Sequence, residues 1–407
     1  MRRRQLSRSI VANEPFEERA RDERDAVEEP YPEERLSGCS GCVYDYSNVF
    51  AFMVILALLP PFLNFAALKR ESTALLPKEG EQIDMGCGQK MFIMCIGDGL
   101  PTVILEAPTG TASEVWFLIQ QKLSKSSKVC VYDRAGLGFS DLPPYNDNFH
   151  DPKVENKKFG SQVATLEQMT FDLHHLVTFG KPLPRPFILV GSEIGGLIAR
   201  HYALTHPEDV VGIVLLNPLN EDLFWRQNEE WDYYWNSKVV PRLGSLEIMA
   251  YYGINRIAAL LGKLVVDIPN ENVPDDIKRT QISHLCNPYH LKTVVHEHLL
   301  LNTSFHQMFE AWQTKSFPKN VSVTLINSMK FEKIPPLVEL SWQQSQLYLR
   351  QSLHPVCQHF ITDEKLEKLY EEGILVSETK QLVFRWRVQN DVFPTVHTFK
   401  ERKIARE

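Results

Sequence analysis

Three features are missing from this chain, and each absence removes a class of function. There is no basic stripe. Lys and Arg number 44 against 51 Asp and Glu, for a formal net charge of −7, so a nucleic-acid protein is not expected. There is no cysteine framework either. The cysteines number seven, an odd count without a repeated spacing, so no disulfide scaffold is expected. Cys95 and Cys130 lie in apolar runs and read as buried small hydrophobes. Cys39 and Cys42 form the one CxxC pair in "SGCSGC". Without a second pair, structural zinc is not expected, and acylation is the remaining use for them. Nothing calls for a metal or a cofactor.

The third absence is local. Residues 46–68, "YSNVFAFMVILALLPPFLNFAAL", carry no charge. A stretch of this length can cross a hydrocarbon core of about 30 Å, and Lys69 and Arg70 follow at once. Pro60 and Pro61 should kink the helix, which membrane helices tolerate. The alternative is a buried core helix. The reading is a single-pass membrane anchor. Its orientation is open. Lys69, Arg70 and Lys78 against Arg35 lean toward a cytosolic main domain, whereas the sequons at Asn302 and Asn320 lean the other way.

Upstream, residues 1–45 are rich in Arg, Glu, Asp and Pro. With so little to bury they read as a disordered arm. From residue 80, near-continuous apolar runs such as "TVILEA", "KVCVYD", "RPFILVG" and "VVGIVLLNP" alternate with amphipathic segments. That alternation means a parallel α/β sheet flanked by helices. It stops at about 221–316, where the pattern is helical, and returns with "VSVTLIN". A helical insertion placed over the strand carboxyl ends would be a lid. The α/β domain is expected over 80–370, leaving 371–407 as a C-terminal extension.

In an open α/β sheet the site forms at the strand carboxyl ends. Three loops there carry motifs: "GDGLPTVILEAPTGTASEVW" (97–116), "VCVYDRAGLGFSD" (129–141) and "ILVGSEIGGLIARHYALTHPEDVVGIVLLNP" (188–218). Together they resemble the alpha/beta hydrolase superfamily, specifically its alpha/beta hydrolase-1 type. The resemblance runs from about residue 83 to about 370. It implies an α/β-hydrolase fold, a nucleophile elbow G-x-S-x-G, and an oxyanion hole built from two backbone N–H groups.

On these residues the elbow glycines are Gly191 and Gly195, and the central position is Glu193. Ser192 falls one place early, where a strained turn would not aim it into the site. By the resemblance, the oxyanion donors would be near Thr109 and at Ile194, and Pro108 stands where the family has glycine. The family histidine corresponds to His359 in "CQHFI". At the positions expected for the acid stand Asn217 and Asn327, which cannot stabilise an imidazolium as a carboxylate does. Glu221, Asp222 and Glu332 are possible substitutes.

Three functions follow. In the first, the protein is a membrane-anchored fold without ordinary serine-hydrolase activity. The Glu193 carboxylate fills the oxyanion hole, and the protein works by binding a partner, or a lipid or small apolar ligand under the lid. In the second, Glu193 is a carboxylate nucleophile, as aspartate is in epoxide hydrolases and haloalkane dehalogenases of this fold. Tyr233, Tyr234, Tyr251 or Tyr252 would then activate the epoxide. In the third, it is an esterase or lipase using Ser192 or another serine.

Overall fold

A computed structural model describes residues 40–86, 88–142, 164–225, 229–264, 273–327, 335–353 and 356–362. The arm up to residue 39, Glu332 and the extension 371–407 lie outside them. The chain divides into two compact units, residues 1–54 and 55–407. Of the first, the described part is the start of helix α1 (Ser40–Ala74), which carries Pro60 and Pro61 inside it. Its Tyr46–Ala74 portion is long and apolar enough to cross a membrane.

The second unit is built on one sheet. Its strands are β1 (Gly80–Gly86), β2 (Gln89–Ile96), β3 (Val103–Glu106), β4 (Val129–Tyr132), β5 (Phe187–Glu193), β6 (Val210–Pro218), β7 (Ser322–Asn327) and β8 (Cys357–Thr362). They lie in the order β1-β2-β4-β3-β5-β6-β7-β8. The β1–β2 and β2–β4 pairs are antiparallel and the rest parallel. The apolar runs fall on the central strands: β3 and β4 are buried along their whole length. Both faces are covered, as a parallel sheet requires. Helices α2 (Phe117–Leu123), α3 (Leu166–His175), α4 (Ile194–Thr205) and α12 (Pro336–Ser352) follow strands of the sheet. On one face Leu189, Ile213 and Leu215 of the sheet join Leu197, Ile198 and Leu173 of α4 and α3 in a single core.

Between β6 and β7 come α5 (Asp222–Trp225), α6 (Glu229–Tyr234), α7 (Val240–Tyr251), α8 (Ile254–Leu260), α9 (Asp275–Cys286), α10 (Pro288–Leu299) and α11 (Leu301–Thr314). This insertion starts at the carboxyl end of β6. It contributes to the core through Trp231, Trp235, Phe305 and Met308.

One expectation is overturned. Cys95 and Cys130 are not two separate thiols but a disulfide. They are direct partners across the antiparallel β2–β4 pair, and both sit on apolar strands, so composition alone cannot tell a pair from two buried hydrophobes. The bond closes a loop of sequence separation 35. On loop entropy, replacing both cysteines by alanine should lower stability by about 4 kcal/mol. Thermal melts with and without the double substitution test this. An unchanged melt, or peptide mapping that finds both thiols free, contradicts it.

Candidate functional site

The strand–turn–helix at β5–α4 holds the elbow. Glu193 ends β5 with φ 50° and ψ −115°, a left-handed conformation that a side-chain-bearing residue rarely adopts. The surrounding glycines permit it. A Cβ on Gly191 would run into the Gly195 backbone, one on Gly195 into the carbonyls of Glu106 and Ala107, and one on Gly196 into Pro218. The turn is therefore pressed against the ends of both β3 and β6. Ser192 is fully buried, one residue earlier in β5. Successive strand side chains point to opposite faces, so Ser192 and Glu193 do not share a direction.

Glu193 is buried, and its Oε2 accepts a hydrogen bond from the Thr109 N–H at 3.2 Å. Thr109 follows β3, in the loop whose amide would receive a developing oxyanion. That amide here points at a carboxylate already present. Ile194, the first residue of α4, is buried beside it. Burial pushes the Glu193 carboxyl up to about 7; the Thr109 hydrogen bond and the Arg134 charge pull it back down.

Around the loop lies a charge cluster that sequence reasoning missed. Arg134 is buried at the end of β4. Its guanidinium donates to the carbonyls of Ala107 at 2.8 Å and Pro108 at 2.7 Å, and to both oxygens of Glu297 at 2.7 and 3.0 Å. It also lies 3.6 Å from Glu106, which accepts from the Tyr132 hydroxyl. Glu297 comes from α10 of the insertion and accepts from the Gly110 N–H at 2.7 Å. The insertion is thus fastened to the loop after β3 by one carboxylate. Burial raises Glu106 to about 7 as well, against the pull of Arg134. His298, next to Glu297, is buried, and burial lowers it to about 4. Its ring approaches Gly110 closely enough that a Cβ there would meet Cε1 at 3.0 Å. Arg134 belonged to a quoted motif, so a charged residue in a strand-end loop was the available signal. Glu297 and His298 lay in the insertion, where no motif marked them.

The remaining candidates are not drawn into this centre. His359 sits within β8, not in a loop after it, because Cys357–Thr362 pairs in parallel register with β7. His359 is opposite Thr324, Thr324 opposite Val214, and Val214 opposite Val190. It is therefore level with a position three residues short of Glu193 and three strands away. At sheet spacings the two backbones are on the order of 17 Å apart. Asn217 is the penultimate residue of β6, one before the partner of Glu193, with φ 40°. Asn327 donates to Gln346 of α12 at 2.9 Å, and Gln346 donates to the Pro218 carbonyl. Glu221 is bound by the buried Arg200 at 2.6 Å, so that carboxylate serves an ion pair. Asp222 begins α5. Of the tyrosines, Tyr233 and Tyr252 are exposed, and so, just, is Tyr251. Tyr234 packs against the core.

Among the described residues one group has metal-ligand geometry: His174, His206 and Asp209, with ligand atoms within 4.8 Å of one another. Asp209 is already committed to Arg185 at 3.0 Å and to the Tyr202 hydroxyl at 3.0 Å. The two imidazoles stack face to face at 3.7 Å and 4°. Their in-plane lone pairs then run side by side instead of converging on an ion. The group lies at the far end of α4, about 18 Å from the elbow by helix rise.

Comparison with known proteins agrees with this geometry. Residues 99–247 match the model of the alpha/beta hydrolase fold family. Uncharacterized protein YbdG of Bacillus subtilis is 27% identical over 169 residues, 41% of this chain and 46% of that protein. The 2-hydroxymuconate semialdehyde hydrolase of Pseudomonas sp. is 27% identical over 162 residues, 37% of this chain and 50% of that enzyme. The chain thus spans about half the length of these curated relatives. The epoxide hydrolase VrEH1 of Vigna radiata superposes with a TM-score of 0.50 at 16% identity, covering 70% of this chain and 91% of that one. The chain is an alpha/beta-hydrolase-fold protein.

The raised Glu193 carboxyl has a consequence for stability. A carboxyl at about 7 in the fold and 4.5 in the unfolded chain favours the folded state fully below pH 4.5. That contribution is lost as pH rises through 7. Glu193→Gln should therefore flatten the loss. The variant should be slightly more stable than the wild type at pH 5 and more stable by up to about 3 kcal/mol at pH 8. Thermal melts across that range check it. Parallel curves for the two proteins would contradict the assignment.

Proposed function

We propose that this is an α/β-hydrolase-fold protein held at a membrane by α1 and lacking serine-hydrolase activity, whose role is binding a partner, or a lipid or small apolar ligand under the lid. One observation carries the reading. The elbow presents Glu193, and its carboxylate takes the Thr109 amide that a substrate oxygen would need. An acceptor already bound to that amide leaves it unavailable to the charge that develops in acyl transfer. The acid positions are amides, Asn217 and Asn327, and the register sets His359 away from the elbow.

The same features weaken nucleophilic attack by Glu193. A carboxyl raised to about 7 is substantially protonated near neutrality. An aligned histidine is needed to activate water against the ester intermediate. The exposed Tyr233 and Tyr252 do not serve an interior epoxide.

For the anchor, the support is the length and apolar character of Tyr46–Ala74. The Cys95–Cys130 disulfide favours an oxidising compartment for the main domain. So does Asn320, an exposed sequon residue in the turn before β7.

Losing the nucleophile of a triad costs on the order of 10⁶ in kcat. Full-length protein in membranes should therefore show no labelling by a fluorophosphonate probe, and no ester turnover above background. Labelling that disappears in Ser192→Ala would sink the reading in favour of a displaced serine. Epoxide turnover abolished by Glu193→Gln would sink it in favour of a carboxylate nucleophile.

A further inference from the structure

The carboxyl-terminal half of α1 is not a free stalk. Its buried stripe recurs at helical spacing: Pro60 and Pro61 partly buried, Asn64 fully, then Leu68 and Glu71 partly. This stripe meets the lid. A Cβ on Gly253, the turn between α7 and α8, would lie 2.5 Å from the Pro60 carbonyl oxygen. The Asn64 amide donates to the carbonyls of Ala250 at 3.2 Å and Cys286 at 2.9 Å, and its oxygen accepts from Arg256 at 3.2 Å. Arg256 then grips Glu71 through two contacts of 2.7 Å, and the Ser283 hydroxyl adds a third bond to Glu71 at 2.8 Å. Every polar group α1 presents to the lid between Pro60 and Glu71 is thereby satisfied, as a low-dielectric setting demands.

These contacts fix a depth. The uncharged stretch ends at Leu68, and Pro60 lies eight residues inside that end, about 12 Å by helix rise. The Gly253 turn is level with Pro60, so it is level with the interior of the apolar stretch, not its edge. Arg256 and Glu71 form the polar boundary above it. Around that turn the lid exposes Ile248 (60%), Tyr252 (61%), Ile254 (45%), Ile257 (44%), Leu260 (81%) and Leu261 (65%). From 244 to 262 the charges are Glu247 and the paired Arg256. Exposed apolar residues gathered in this way mark a contact surface.

We propose that the α7–α8 hairpin is itself a membrane-embedded surface. It would be inserted beside α1 into the acyl layer, with Arg256–Glu71 at the headgroup level, so that the lid lies against lipid. The proposal rests on the membrane-anchor reading of α1. The occupant is the bilayer, because the same contacts that hold the hairpin against α1 place its tip at the depth of the apolar span.

The test uses the full-length chain reconstituted at one copy per phosphatidylcholine nanodisc. A fluorescent amino acid is incorporated at one site at a time, and quenching by doxyl-labelled phosphatidylcholine is read. Ile55 reports the span, Leu260 the hairpin, and Leu347, an exposed residue of α12, the body of the domain. Ile248 is a second hairpin position should the Leu260 variant express poorly. The expected result is quenching at Leu260 close to that at Ile55 and several-fold above Leu347. Quenching at Ile55 with Leu260 no higher than Leu347 overturns the proposal while leaving the anchor intact. No quenching at Ile55 removes the anchor reading and the proposal with it. Shielding of Leu260 without lipid quenching, in discs that hold two copies, shows that a second copy covers the surface, and also overturns it.

Discussion

One guanidinium ties together the parts of this domain that have no covalent reason to meet. Arg134 leaves the end of β4 and reaches the carbonyls of Ala107 and Pro108, the Glu297 carboxylate of the insertion, and the edge of Glu106. The partners come from the end of β3 and the loop after it on one side, and from α10 of the insertion on the other. Burying a guanidinium without such partners would cost several kcal/mol, so the loop, helix α10 and the strand end are constrained to close around it. The planar fork of arginine suits this task in a way a lysine ammonium does not.

That constraint also shapes the elbow. With Glu297 satisfying Gly110 and Glu193 satisfying Thr109, consecutive amides of the loop after β3 are both occupied by protein carboxylates. The loop is self-satisfied before any ligand arrives. Two of the three buried carboxyls, Glu106 and Glu193, are raised to about 7 by burial. The cluster thus limits its charge by holding protons near neutrality.

What could be read from the sequence follows the physics of each element. The central strands were legible because strands buried on both faces show as apolar runs, and the elbow because its glycines answer to backbone contacts that no other residue allows. The signature of Glu193 between Gly191 and Gly195 marked the turn on which the site is built. The strand position of His359 was not legible, because strand pairing is a property of β7 as much as of β8. The Cys95–Cys130 bond was missed because register, not composition, brings two cysteines opposite each other. Glu297 was invisible because it reaches the site across 163 residues from Arg134, a distance that no local pattern spans. Asn64 looked like one more uncharged residue of an apolar helix, and its partners at Ala250 and Cys286 lie in an insertion whose packing the sequence does not specify.

The central claim is that the Glu193 carboxylate occupies the Thr109 amide in the loop after β3. The most direct measurement is the Thr109 amide resonance in full-length protein with ¹⁵N-labelled threonine, followed through a pH titration in the wild type and in Glu193→Gln. The account predicts that the amide proton shifts with a midpoint of about 7 in the wild type and that this titration vanishes in the variant. A Thr109 amide that does not titrate, or that titrates identically without the carboxylate, would contradict it.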